Sequence, residues 1–171
     1  MRTLGATRSF IALTALSVTA AAFAPSPVAA AETASLTVSA SVANNCTINT
    51  AAISFAPYDP VVANATAALD GEGRVTVACT KGVVPTIALG AGANASGGTR
   101  RLASGADLLS YEIYQNSGHT TVWGGTGAAV LTPVAAPSRT PRDFPVYGRI
   151  AGSQDVPAGT YNDTIVATVN F

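Results

Sequence analysis

The sequence predicts an all-β sandwich, and three observations carry that expectation. Short runs with a two-residue apolar period recur along the chain. Clusters of Gly, Pro and Asn separate them at fairly regular spacing. No stretch sustains apolar residues at i, i+3, i+4 and i+7, so helical signals are nearly absent.

In chain order, the first residues read as an export signal. Arg2 and Arg8 make a positive start, Phe10 to Phe23 is an uncharged, mostly apolar run, and Pro25 and Pro27 break it. Val28, Ala29, Ala30 and Ala31 supply the small residues a signal peptidase requires, so residues 1–31 are expected to leave after cleavage at Ala31. The apolar run is too short to span a bilayer comfortably, and the two arginines are too far apart for a twin-arginine signal.

The clearest strand follows at once. Leu36, Val38, Ala40 and Val42 alternate with Thr37, Ser39 and Ser41, the pattern of a strand with one dry face and one wet face. Further strands are expected at Arg74–Thr80, Val83–Leu89, Leu108–Gln115, Thr120–Trp123, Pro145–Ile150 and Thr160–Phe171, with a weaker one at Ala128–Val134. Pro85 cannot donate to a ladder, which points to a strand-start or edge position for the Val83 run. Turns are expected at Asp70-Gly71-Glu72-Gly73, Gly90 to Gly98, Gly124 to Gly127 and Pro157-Ala158-Gly159, and a surface loop at Pro133–Pro141. A strand at each end poses a question: do the two pair within one molecule, or does one serve a neighbour?

About 140 residues remain after cleavage, enough for one domain with a real core. Arg2 and Arg8 depart with the signal, so seven basic residues face nine acidic ones, a formal charge of −2. Lys81 is the sole lysine, and there is no basic patch to hold nucleic acid. No second long apolar run exists, so no membrane span is expected in the mature protein. Charged residues are 11% of the chain, against roughly 25% in ordinary soluble domains. A surface so poor in charge repulsion suits a protein covered by copies of itself; it equally suits a secreted β-protein with a Thr/Ser-rich exterior.

Cys46 and Cys79 form an isolated pair in an exported chain, which reads as a disulfide. Closing a loop of that length contributes on the order of 3–4 kcal/mol in the chain-entropy model. A cysteine nucleophile would need a base, and the one histidine, His119, sits in a Gly118–Thr120 hairpin loop without metal-spaced partners. No catalytic residue, metal site or cofactor is therefore expected. Asp70 and Glu72 read as a solvated turn rather than an acid–base pair. The glycine runs lack the Lys-Ser/Thr of a phosphate loop. Arg100–Arg101 reads as a basic edge or loop that discourages wrong pairing. Tyr111, Tyr114 and Trp123 suggest an aromatic sugar platform, but Tyr111 and Trp123 are better placed in the core or on a sheet face. The sequon Asn64-Ala65-Thr66 is common by chance in so Ser/Thr-rich a chain.

Several segments together match a known pattern: Leu36-x-Val38-x-Ala40-x-Val42, Asn44-Asn45-Cys46-Thr47-Ile48, Gly73-x-Val75-x-Val77-x-Cys79, Arg100-Arg101-Leu102 and Leu109-x-Tyr111-x-Ile113-Tyr114. Thr121-Val122-Trp123-Gly124, Val146-Tyr147-Gly148-Arg149-Ile150 and the ending Gly159-x-Tyr161-x-Asp163 to Thr168-Val169-Asn170-Phe171 extend it. The mature chain resembles the spore-coat-U family, which includes subunits of archaic chaperone–usher pili; only Pro133–Pro141 stays unmatched. The resemblance implies an immunoglobulin-like β-sandwich that lacks its last strand and is completed by donor-strand exchange. A periplasmic chaperone fills the gap first. At the outer-membrane usher, the N-terminal extension of the next subunit replaces it, a strand addition to an open sheet edge.

Carried onto this chain, the resemblance makes residues 32–43 the donor strand, with Leu36, Val38, Ala40 and Val42 as its groove-filling face. Residues 44–171 become the sandwich, with an acceptor groove lined by Ile165, Ala167, Val169 and Phe171. A one-residue slip would turn Thr37, Ser39 and Ser41 into the groove, so the register is well specified. Cys46 follows Ala43 so closely that a stiff joint between subunits is expected. The implied partners are neighbouring copies or related pilins, a chaperone and an usher. The implied location is the cell surface, reached through the periplasm, where the fibre supports adhesion or biofilm formation. A spore or cell coat built on the same fold, and a carbohydrate-binding tip domain using Tyr114 and Trp123, are the rival expectations.

Overall fold

The computed structural model describes residues 27–171. The expected signal peptide falls almost entirely outside the described residues. Residues 27–39 form neither strand nor helix and are exposed throughout.

The unit Ala40–Phe171 is all-β. Its strands are β1 (Cys46–Phe55), β2 (Leu69–Cys79), β3 (Thr86–Leu89), β4 (Arg100–Ser104), β5 (Asp107–Tyr114), β6 (Arg142–Ile150) and β7 (Ala167–Asn170). A 3-10 turn at Gly127–Ala129 is the one helical element among the described residues. β1, β2, β6, β5 and β4 form one antiparallel sheet in that order, and β3 pairs with β7 in a second.

Alternation decides which face is buried. Val75, Val77 and Cys79 of β2, Leu109, Tyr111 and Ile113 of β5, and Val146 and Ile150 of β6 all face inward. They meet Ile87 and Leu89 of β3 and the fully buried Trp123, with Ala167 and Val169 of β7 packed alongside. Burying each Val, Leu or Ile contributes about 1.5–3 kcal/mol. Trp123 reaches β3 by donating its indole N–H to the Ile87 carbonyl at 2.8 Å. Cys46 and Cys79 stand opposite one another in the β1–β2 register and are joined by a disulfide.

Several expectations need correction. Asp70 to Gly73 is the first part of β2 rather than a turn. Gly71 there faces Gly148 of β6, and a Cβ on either would fall within 2.7 Å of the Phe55 ring. These glycines admit a neighbouring side chain; they do not bend the chain. Thr120–Trp123 makes a single bridge, Tyr114 to Val122, and Ala128–Val134 yields the 3-10 turn plus one bridge from Leu131 to Ile87. The Val83 run begins its ladder only at Thr86, directly after buried Pro85. Leu36–Val42 forms no strand in this chain, and Leu36, Val38 and Val42 stand 88%, 86% and 85% exposed.

Arg100 is not an exposed basic edge. It is buried, and its guanidinium donates to the carbonyls of Leu89, Gly90 and Trp123 while pairing with Glu112. It thus joins β4 and β5 to the end of β3. His119 is not simply solvated either. Its side chain is 7% exposed, edge-on to Tyr114 and Tyr147, with Nε2 3.6 Å from Asp70 Oδ1. Asn64 cannot serve as a glycan acceptor in this fold, because its buried amide accepts from Asp59 N–H and donates to the Ala67 carbonyl. Pro133–Pro141 is a loop as expected, pinned by buried Ala136, which exchanges hydrogen bonds with Val83 and Gly82.

Candidate functional site

Of the four edge strands among the described residues, β4 and β3 are bridged on their outer sides at Ala103–Asn162 and Ile87–Leu131, while β1 and β7 are left open. Among the described residues, β1 is hydrogen-bonded only to β2, and β7 only to β3. Between them runs a groove. Its upper part is a cavity of about 210 Å³, walled by Thr50 to Ile53 and Phe55 on one side and by Asp163, Ile165 and Ala167 on the other. Val75, Leu89, Leu102, Tyr111 and Val146 form its floor. A second cavity of about 630 Å³ continues it, between Ile53–Tyr58 and Val156–Tyr161. Ile53, Phe55 and Leu102 belong to both, so the two form one trough, apolar along its floor and more polar toward Ser54, Thr160 and Tyr161.

The β1 wall owes its shape to a bulge. The β1–β2 register shifts between Ala51 and Ser54, which breaks the alternation of β1 and re-aims Ile53 and Phe55. Phe55 then lies across the Gly71–Gly148 pair, where side chains are missing from both strands.

The opposite wall is held from behind. From Tyr161 to Val169 every second residue is half-buried and those between are exposed. Asn162 exchanges two backbone hydrogen bonds with Ala103, Gly90 N–H donates to Val166 O, and Ala93 N–H donates to Thr164 O. Asp163 accepts from the Tyr111 hydroxyl at 2.6 Å and from Asn94 through its backbone and side-chain N–H groups. Burial, followed by that bond to Asp163, pushes the Tyr111 hydroxyl far above its ordinary range, so it stays a donor.

Of the residues expected to line an acceptor groove, Ile165 and Ala167 do line the cavity. Val169 packs on the core opposite Ile87, and Phe171 stands 54% exposed; neither lines the trough. The sequence reading missed the other wall and the floor: Ile53, Phe55, Leu102, Val156 and Tyr161. The Ile53-Ser54-Phe55 alternation carried a trace of it, but the bulge hid the rest of β1. No group of three or more His, Cys, Asp or Glu residues among those described is placed to hold a metal ion.

Where the expected donor segment meets the domain, the chain is tied down. Thr80 N–H donates to Asn45 O at 2.8 Å, Asn45 N–H donates to Thr80 Oγ1 at 3.1 Å, and that hydroxyl donates to Ala43 O at 3.2 Å. The Cys46–Cys79 disulfide follows immediately.

Comparison with known proteins bears on the family and the fold. A family model described as Spore Coat Protein U domain matches residues 32–168. "Protein U" of Myxococcus xanthus is 35% identical over 182 residues, covering 98% of this chain and all of that protein. Among solved structures, a chain of the CsuC–CsuE chaperone–tip adhesion subunit pre-assembly complex, from the archaic chaperone–usher Csu pili of Acinetobacter baumannii, superposes with a TM-score of 0.54 at 24% identity. The match covers 76% of this chain but only 40% of that one, and at this identity it speaks to the fold alone.

Proposed function

This chain belongs to the Spore Coat Protein U domain family, and from that premise we propose that it is an exported structural subunit of a surface pilus, assembled by the chaperone–usher route. Residues 1–31 are removed, residues 32–43 are the donor arm, and residues 44–171 are the acceptor domain. Copies join when the arm of one enters the trough of the next. The reading is structural, not enzymatic.

The observation that carries it is a matched pair of unpaired features. The trough has an apolar floor between two edge strands, β1 and β7. The arm has an apolar face at Leu36, Val38, Ala40 and Val42, exposed and outside any strand among the described residues. A guest strand would satisfy an open backbone edge, and its alternate side chains would fill the trough. Exchange of this kind is head-to-tail and does not close, so it builds a filament. A chaperone and an usher are the partners this route requires, the cell surface is its destination, and adhesion or biofilm formation is the service such a fibre performs.

The test is deletion of residues 32–43 from the precursor, exported with its chaperone. The shortened subunit should fold and bind the chaperone yet fail to donate to a neighbour. Loss of the fold even with the chaperone would make the segment an internal strand and end the proposal. The family description and the full-length likeness to Protein U favour a second reading, a coat layer on the same fold. Electron micrographs separate thin fibres from a continuous shell.

A further inference from the structure

A donor arm and an acceptor trough on one chain raise the question of whether the arm folds back into its own domain. Reach does not forbid it. Residues 32–43 extend to about 40 Å, and the trough wall begins at Thr50, only a few residues along β1 from the root of the arm. To enter, the chain would have to reverse direction somewhere between Ala43 and Cys46.

That stretch is tied to the end of β2. Thr80, just past the end of β2, binds both sides of the root. Its backbone N–H holds the Asn45 carbonyl, and its hydroxyl accepts from Asn45 N–H while donating to the Ala43 carbonyl. A hydroxyl has one proton and two lone pairs, so it can bridge a donor and an acceptor at once. The disulfide then fixes Cys46 to Cys79, and β1 and β2 pair from that point onward. Ala43 to Cys46 is thereby held as an extension of the β1–β2 ladder. A reversal there would break all three Thr80 bonds.

We propose that Thr80 is a positioning residue that locks the root of the arm onto the end of β2, denying the arm to its own trough and keeping it free for a second copy. The inference rests on the donor-arm reading above and adds a reason why exchange runs between molecules. Removing the hydroxyl leaves Ala43 and Asn45 without two of their tethers, and the balance shifts toward the self-filled monomer.

The experiment compares the mature chain, residues 32–171, with Thr80→Val, Thr80→Ser and a Gly-Ser-Gly-Ser insertion between Ala43 and Asn44. The insertion leaves Thr80 intact but frees the arm to turn. After release from the chaperone, size exclusion separates polymer from monomer. Hydrogen exchange then reports whether residues 36–42 of the monomer are protected. Thr80→Val should raise the protected monomer about five- to tenfold, the shift expected from losing about one net hydrogen bond, and the insertion should raise it too by letting the chain turn before the Thr80 tether. Thr80→Ser keeps the hydroxyl and should behave as wild type. If neither the valine variant nor the insertion raises the protected monomer while wild type polymerises, the lock is refuted and donor exchange stands. If wild type itself is a monomer with a protected arm, both the lock and the donor-arm reading fall.

Discussion

The Tyr111 hydroxyl and the Asp163 carboxylate meet at 2.6 Å across the floor of the trough, joining the middle of β5 to the C-terminal wall. Tyr111 is 6% exposed, so this bond is shielded from competing water. It sets the distance between the floor and the wall that carries Ile165 and Ala167. Tyr111→Phe should keep the ring packing and lose the bond, leaving Asp163 to Asn94 alone. We expect a loss of about 1–3 kcal/mol in urea unfolding, and a weaker hold on a synthetic arm peptide (residues 32–43). A variant that unfolds and binds as wild type does would show that the wall is positioned without this bond.

The Phe55 ring lies over two glycines, and the second prediction concerns that contact. A methyl at Gly148 would sit 2.7 Å from Phe55 Cζ and 2.9 Å from Ile53 Cγ2, below any ordinary contact. Gly148→Ala should push both side chains toward the trough, at a cost of about 1–3 kcal/mol for overpacking. The paired change Gly148→Ala with Phe55→Leu should recover part of it. Thermal unfolding of the two variants checks this, and no recovery in the double variant would count against steric pressure as the cause.

These glycines also show what a sequence conceals. Asp70-Gly71-Glu72-Gly73 has turn composition, yet its glycines serve a side chain that arrives from β1 and a partner glycine 77 positions away, at Gly148. Local chemistry cannot report so remote a cause. β1 was obscured for a related reason, since its bulge breaks the alternation between Ala51 and Ser54. The core strands were legible because burial alternates strictly in β2, β5 and β6. For the site, the pattern from Tyr161 to Val169 exposed one wall, while the β1 wall and the Leu102 floor depend on packing between distant segments. Arg100 was misread because charge alone suggested solvent. Only the fold brings three carbonyls and Glu112 around it.

If the arm donates a strand, its two faces must differ. Val38→Asp would carry a carboxylate into the trough and should weaken subunit joining by about 3 kcal/mol, since Arg74, the cation on the trough lining, already pairs with Asp143. Ser39→Asp lies on the opposite face and should change joining by less than about 1 kcal/mol. Polymer yield after chaperone release gives the comparison. Equal effects at Val38 and Ser39 would mean that the arm does not bind with one face inward.

The disulfide has both a stability and a positional effect. Reducing Cys46–Cys79, or replacing both with Ala, should cost about 3–4 kcal/mol if chain entropy dominates. It should also loosen the end of the β1–β2 ladder that anchors the arm root. Hydrogen exchange of residues 44–48 and 76–80 should then rise more than that of β5. A uniform rise would attribute the effect to global stability alone.

Acid should weaken the domain through its aspartates. Arg149 donates twice to Asp70, at 2.6 and 2.8 Å, and this bond, reinforced by the nearby His119, holds the Asp70 carboxyl below its usual range. Asp59 is lowered in the same direction by the backbone N–H groups of Val61 and Val62. A carboxyl with a depressed folded pKa contributes stability that is complete above its unfolded value of about 4 and fades as pH falls through the folded value. Tyr111 has the opposite sign. Its raised pKa favours the folded state below about pH 10, and that contribution fades at higher pH. Asp70 is half exposed, so its pair contributes only about 0.5–1 kcal/mol. Asp70→Asn should therefore lower the denaturation midpoint slightly at pH 7 and converge on wild type near pH 2. Tyr111→Phe, besides the loss at neutral pH argued above, should flatten the alkaline limb and leave the acid limb's slope unchanged. A constant gap between Asp70→Asn and wild type from pH 7 to pH 2 would show that the lost stability comes from packing, not from ionisation of this carboxyl.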